Sequence, residues 1–356
     1  MNDVPAKLGY GFPAEWHRHA ATQLHWPSNR KTWPGDRLHR VETVFLDIIQ
    51  VLHRYEPILL LAEPAAIRRA EKRLGELELD RGRIFLTEYP VNDVWARDCG
   101  PVFIFRKFKN RLEYAVTDWE FNSWGGKYSP FGDDNRIPEF ISRRYNLTRF
   151  RPGMVMEGGS VETNGEGVLI TTESVLLNPN RNPGLHKSEV EQALRNYLGV
   201  DKIIWLKAGL AGDDTDGHVD DLCRFLDRNT VLTVLAENRD DVNFAVLQEN
   251  HDLLKRAQDL LEEPLHIETL PLPDTRIEGK TADGSEFVPA SYANFYIANG
   301  VVLMPFYDER YDEQVRNLLK QYFPDREVAG IPSSDLVWGQ GGIHCVTQQL
   351  YGLEIS

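Results

Sequence analysis

The sequence predicts a mixed α/β fold made by repetition: a ring or stack of units, each a strand pair, then an amphipathic helix, then a further strand. Three observations carry this reading. Pairs of short apolar runs are separated by turn residues at several places along the chain. Helical i, i+3, i+4 apolar spacing follows several of these pairs, and another short apolar run follows each helix. The pattern recurs at roughly 50–80 residues, and one such unit has too little apolar face to bury alone.

The elements fall in order. Near the N-terminus, Leu38–Tyr55 and Pro64–Leu79 have helical spacing and are followed by the runs "ILLLA" and "RIFLT". Phe103–Tyr114 reads as a hairpin turning at Lys109–Asn110. Val161–Asn178 turns at Asn164–Gly165, Leu222–Ala236 at Asp227–Asn229, and Asn294–Phe306 at Asn299–Gly300. Asn-Gly between apolar runs signals a tight hairpin, whose two turn residues both need positive φ. Ser188–Leu198 opens with a capping box of Ser188 and Glu191. Val242–Leu261 and Asp312–Phe323 are the remaining amphipathic helices. Lys202–Leu206, Leu265–Leu272 and Glu327–Ile331 are the strands that follow. No linker or composition break interrupts the series, so residues 1–356 are read as one catalytic domain.

Composition narrows the function. The chain has 356 residues, 42% of them hydrophobic, which suffices for a sizeable core. Its three cysteines show no C-x-x-C spacing, against a disulfide framework or a structural zinc site. No apolar N-terminal stretch resembles a signal peptide, and no run reaches the roughly 18 residues of a membrane span, so a cytoplasmic setting is expected. A formal net charge of −14 with no basic block disfavours nucleic acid and suits a cationic substrate.

Five segments place a polar residue beside glycine or an aromatic where a strand is expected to end. They are "VWARDCGP" with Asp98, "MEGGS" with Glu157, "DTDGHVDD" with His218 and Asp220, "SYANFY" with Asn294, and "GGIHC" with Cys345. The steps from Asp98 to Glu157, His218, Asn294 and Cys345 are 59, 61, 76 and 51 residues. Each element alone has a plain structural reading: a buried thiol, a satisfied core histidine, a surface ion pair, a turn. Their recurrence at a near-constant step, beside glycines that let backbone approach a ligand, points instead to a central cavity fed by one side chain per repeat.

A thiol is a strong nucleophile once ionised, and histidine shuttles protons. His344 adjoins Cys345, but side chains adjacent on a strand face opposite ways, so His218 is the better acid–base candidate. His218 and Asp220, two apart, are expected to share a face. Carboxylates raise a thiol's pKa, which suits a substrate that is itself a cation. Guanidinium meets that need: it is planar, permanently charged and gripped by carboxylates in bidentate fashion. Free Cys345 is therefore expected to be a protonated thiol that ionises when the cation binds.

The segments "AEWHRHAATQLHWPSN", "WARDCGPVF", "FNSWGGKY", "EGGSVE", "LLNPNRNPG", "DTDGHVD", "ASYANFYIANG", "FPDREV" and "GGIHCVTQQ" resemble, in order, the agmatine deiminase family and its bacterial peptidylarginine-deiminase-like relatives. The resemblance covers about residues 10–350. It implies the five-bladed α/β-propeller (pentein) of guanidino-modifying enzymes, with ββαβ units around a central site. It also implies roles. Cys345 matches the nucleophile that forms a covalent thiouronium, and His218 the acid–base. Asp98 and Asp220 match the carboxylates that hold the guanidinium, and Glu157 the acid beside the histidine. Asn294 falls on the fourth motif in a supporting, substrate-side role. Trp95 and Trp124 are candidate walls for the substrate's alkyl chain. Asp214, with Asp213, is a candidate for its terminal amine. No metal or organic cofactor is implied.

Two positions depart from the family pattern. Gly342 stands where agmatine deiminases typically carry asparagine before the I-H-C, and Asp216 where their histidine motif often has asparagine. The Gly341–Gly342 backbone is expected to lie close to the substrate. The expected reaction is hydrolysis of a small guanidino compound, agmatine first, to its ureido product and ammonia. Free arginine and peptidylarginine are the alternatives within the same chemistry. A metal-dependent hydrolase using His218, Asp220, Asp98 and Glu157, and a non-catalytic binding protein of the same fold, are the alternatives outside it. The expected partner is the small cationic substrate, without nucleic acid or membrane, and a homo-oligomer is left open.

Overall fold

The computed structural model describes residues 4–277 and 279–355. Its strands form five small sheets. Four are three-stranded and share one plan, an antiparallel hairpin followed by a helix and a third strand parallel to the second. The first of these pairs Val102–Phe108 with Arg111–Thr117, then Thr148–Phe150 after helix Ile137–Arg144. The second pairs Val161–Thr163 with Val168–Thr172, then Lys202–Leu206 after helix Lys187–Leu198. The third uses Cys223–Phe225, Thr230–Leu235 and His266–Pro271 around helix Phe244–Arg256. The fourth uses Tyr296–Ala298, Val301–Phe306 and Glu327–Pro332 around helix Asp312–Tyr322.

The fifth sheet joins the two ends of the chain. Gln348–Leu350 pairs antiparallel with Ala21–His25, with Thr22 opposite Gln349. Parallel strands Ile58–Ala62 and Ile84–Glu88 follow after helices Arg37–Leu52 and Ile67–Gly75. Helix Arg37–Leu52 buries Leu38, Val41, Phe45, Ile48, Ile49 and Leu52, the stripe its spacing predicts. Five ββαβ blades closed end to start make an α/β-propeller, and the repeat read in the sequence is the blade.

Several local expectations need correction. The helix at 187–198 is capped two residues earlier than the sequence suggests, because the His186 N–H donates to Glu189 Oε2 at 2.8 Å. The helix expected to reach Leu261 stops at Arg256, where Asp259 Oδ1 accepts the N–H groups of Leu261 (2.8 Å) and Glu263 (3.0 Å) and holds a loop instead. The run expected to continue as strand to Asn178 turns helical at Glu173–Leu176. Among the four hairpin turns, Lys109–Asn110 has positive φ at both residues, whereas at Asn299–Gly300 only the glycine does. No helix among the described residues is long and apolar enough to cross a membrane.

Candidate active site

The polar residues of the five motifs do not end strands. Each sits just before the first strand of its blade, three of them in a single helical turn. Asp98 lies in the turn Ala96–Cys99 before the strand at 102, and Glu157 caps Gly158–Ser160 before the strand at 161. His218 caps Val219–Asp221, which holds Asp220, before the strand at 223. Asn294 precedes the strand at 296, and Cys345 lies in the turn Ile343–Val346 before the closing strand at 348. The reading failed here because the apolar run that forms the strand follows the polar residue and does not precede it. One blade, one turn and one functional side chain is the repeat seen from the centre.

These turns bring five of the expected residues together. The Cys345 thiol lies 4.0 Å from Asp220 Oδ2. His218 Nδ1 lies 3.6 Å from Asp98 Oδ1, and its Nε2 lies 3.9 Å from Glu157 Oε2. A Cβ built on Gly159 would sit 2.6 Å from His218 Nδ1, 2.9 Å from Asp98 Oδ1 and 3.1 Å from Asp220 Oδ2. Only glycine leaves room for the three groups to converge there. All five side chains are buried, and several of their polar atoms find no hydrogen-bond partner among the described residues: both His218 ring nitrogens, Glu157 Oε2 and Asp220 Oδ1. Such a concentration of unsatisfied buried polar atoms is costly for folding alone and typical of a site built for a ligand.

The electrostatics follow from this crowding. Burial favours the neutral imidazole of His218, but Asp98, Glu157 and Asp220 outweigh it and raise its pKa to about 9. Burial raises Asp98 to about 6 against the opposing pull of His218. Glu157 is held below the usual carboxylate range despite its burial, by His218 and by Arg181, whose Nε donates to Oε1 at 2.6 Å. Burial, then Asp220, Asp221 and Asp98, push the Cys345 thiol well above its ordinary value.

The site forms the floor of a cavity of about 780 Å³ to which Cys345 and Asp98 contribute. Trp95 and Trp124 line it, edge to face with ring centroids 6.2 Å apart. Trp124 is held by its Nε1–H, which donates to Asp98 Oδ2 at 3.0 Å. Asp214 also lines the cavity, accepting from Tyr128 Oη and facing Lys127 Nζ at 3.7 Å. Asp213 is differently occupied: Oδ2 accepts the His218 backbone N–H at 3.1 Å. Asn294 is not among the lining residues. Its Nδ2 donates to Cys345 Sγ at 3.2 Å and to Asp221 Oδ1 at 2.8 Å, so it supports the nucleophile's turn. Gly342 does not line the cavity either; a side chain there would collide with the Asn294 amide.

Other residues of the site escaped the sequence. His344 was set aside on the premise of a strand, yet it lies in a helical turn. Its ring nitrogens meet Asp220 Oδ2 at 2.6 Å and Glu15 Oε2 at 2.7 Å. Arg181 bridges Glu157 to the histidine loop, bonding Asp216 Oδ2 at 2.6 Å and the Thr215 carbonyl at 2.8 Å. Asp216, at a departing position, is neutralised there by Arg181 and by Lys127 Nζ at 2.8 Å. Both Glu15 and Arg181 stand inside segments that carry the family resemblance, which was the available signal. The donor-bearing side chains that converge within 4.8 Å among the described residues are Asp220, Asp221 and Cys345. They are not the quartet a metal hydrolase built on His218 and Glu157 would use.

Five ββαβ blades around a buried cluster of Cys, His and carboxylates define a pentein. The chain belongs to the porphyromonas-type peptidyl-arginine deiminase family, whose model matches residues 11–350. It is 35% identical to the agmatine deiminase of Stutzerimonas stutzeri, with 98% of this chain and 97% of that one covered. It is 34% identical to the agmatine deiminase of Pseudomonas aeruginosa, covering 97% and 96% of the two chains. The solved agmatine deiminase of Enterococcus faecalis superposes with a TM-score of 0.91 at 28% identity, over 100% of this chain and 99% of the other.

Proposed function

We propose that the protein is a cytoplasmic deiminase that hydrolyses agmatine to N-carbamoylputrescine and ammonia through a thiouronium on Cys345. The observation that carries this reading is the Cys345 thiol at 4.0 Å from Asp220, beside His218, Asp98 and Glu157, with the unpartnered buried atoms described above. The agmatine deiminases it resembles along nearly its whole length support the substrate.

The steps follow from the charges. The guanidinium enters over Asp98 and Asp220 and offsets the negative charge that suppresses thiol ionisation. The thiol gives up its proton to solvent, and the thiolate attacks the central carbon, forming the S–C bond. The imidazolium of His218, protonated at neutral pH, gives its proton to the departing nitrogen, and the C–N bond breaks to release ammonia. Neutral His218 then takes a proton from water, whose oxygen attacks the same carbon. Cleavage of the S–C bond frees the ureido product and restores the thiol. Glu157, fixed by Arg181, holds the imidazole and its charge.

Around the cavity, burial holds the Asp134 carboxyl well above its ordinary pKa, and Glu63, Asp93, Asp214 and Asp283 still outnumber Arg30, Lys31 and Lys127, which favours an amine at the substrate's far end over a carboxylate. A catalytic thiol must stay reduced, and the three cysteines are free, which supports the cytoplasmic setting. The proposed partner is the small cationic substrate. Ammonia and ureido-product formation from agmatine, free arginine and an arginyl peptide test the assignment. Agmatine should turn over and the other two should not; equal or faster turnover of arginine would overturn the substrate.

A further inference from the structure

Glu15, in the segment before the first strand, is not among the residues that line the cavity, and nothing in the chemistry above uses it. Its carboxylate is nevertheless the meeting point of four blades. Oε1 accepts from Arg224 Nη2 at 2.8 Å and from the Ile297 N–H at 2.7 Å. Oε2 meets Arg97 Nη2 at 3.2 Å and His344 Nε2 at 2.7 Å. The other nitrogen of His344 meets Asp220 Oδ2 at 2.6 Å, and the free Oδ1 of Asp220 is the atom left for a guanidinium. Every side chain in this line is buried. The His344 main chain is fixed as well: its N–H donates to Asn294 Oδ1 at 2.9 Å and its carbonyl accepts from Arg97 Nε at 3.3 Å.

We propose that Glu15 is a positioning residue for the deiminase reaction, acting through His344 to orient Asp220 beneath the substrate. This rests on the functional reading above. A carboxylate with one oxygen committed to a fixed imidazole has a single rotation, so its second oxygen is aimed in advance. The imidazole is fixed only because a second carboxylate holds its far side. Asp220 is faced by His344, His218, Arg224, Asp98, Asp213, Asp221 and Cys345, and despite burial it is held below the usual carboxylate range, foremost by its bond to His344.

A purely structural role for Glu15 makes a different prediction from this one, and Glu162 separates them. Glu162 is equally buried and bonds Arg224 Nε at 2.9 Å, but it touches neither His344 nor Asp220. In the full-length enzyme, Glu15→Gln should raise KM for agmatine about tenfold, with a smaller loss in kcat. Glu162→Gln should lose comparable thermal stability and leave KM at its native value. The pH dependence of Cys345 alkylation by iodoacetamide is followed in parallel and needs no substrate. A shifted alkylation profile in Glu15→Gln upholds the coupling even if agmatine proves not to be turned over. Folded Glu15→Gln with native KM and alkylation profile overturns the proposal, as does an equal effect of Glu162→Gln. If Glu15→Gln does not fold, His344→Gln replaces it with the same expectations, and failure of both to fold shows a structural role and overturns it too.

Discussion

Asn294 is bonded to the nucleophile's turn at both ends of its amide, donating from Nδ2 to Cys345 Sγ at 3.2 Å and accepting the His344 N–H on Oδ1 at 2.9 Å. The amide therefore sets both where the thiol points and how the turn is held. We expect Asn294→Ala to lower kcat at least about tenfold with little change in KM, and to cost about 1–3 kcal/mol through the buried groups it leaves unpaired. Steady-state kinetics and a denaturant melt on the same preparation check both halves.

Gly342 extends this argument. Its backbone is extended, at φ −107, which any residue adopts, so the constraint is space and not conformation. A side chain there meets the Asn294 amide. Gly342→Ala should therefore reduce kcat about tenfold or more while the fold survives, and should add little in an Asn294→Ala background. Additive effects in the double mutant would show that the two residues act separately. The Gly342 position thus packs against the group that holds the thiol.

Gly159 is the second glycine on which the site depends. A methyl there would press on His218, Asp98 and Asp220 together, and the Gly159 N–H itself donates to Asp98 Oδ1 at 3.1 Å. Gly159→Ala should lose about a hundredfold or more in kcat/KM, since an ångström-scale misplacement of catalytic groups has that effect. Circular dichroism should show the fold retained.

The acid–base behaviour has a defined shape. The free enzyme needs Asp98 charged and His218 protonated, so kcat/KM should fall below a limb near 6 and above a limb near 9. Iodoacetamide should alkylate Cys345 slowly at neutral pH, because burial and three aspartates disfavour the thiolate. Stability carries the same sign. His218 is raised above its ordinary 6.5, so its contribution is fully present below 6.5 and is lost as pH rises through about 9. Melting temperature should drop over that interval in the native enzyme and much less in His218→Asn.

Much of the architecture was legible because the repeat is local. The turns at 109–110, 164–165, 227–229 and 299–300, and the helical stripes between them, are written in consecutive residues. The five motif residues were legible for a related reason: each recurs once per blade beside a glycine or an aromatic. What stayed hidden is what long-range packing decides. Glu15 has no glycine beside it and no place in the repeat, and its partners Arg97, Arg224 and His344 come from distant segments. His344 was set aside because its neighbours look like a strand, whereas the chain makes one helical turn there before the closing strand. Arg181 lies in a loop whose sequence does not reveal that it reaches Glu157.

The central claim is that Cys345 carries the amidino group between the two half-reactions. Acid quenching of the enzyme during steady-state turnover of agmatine, followed by intact-mass measurement and peptide mapping, tests it most directly. The account requires an adduct equal to agmatine less ammonia, on the peptide bearing Cys345 and missing from Cys345→Ala. Turnover by Cys345→Ala, or an adduct on any other residue, would contradict it.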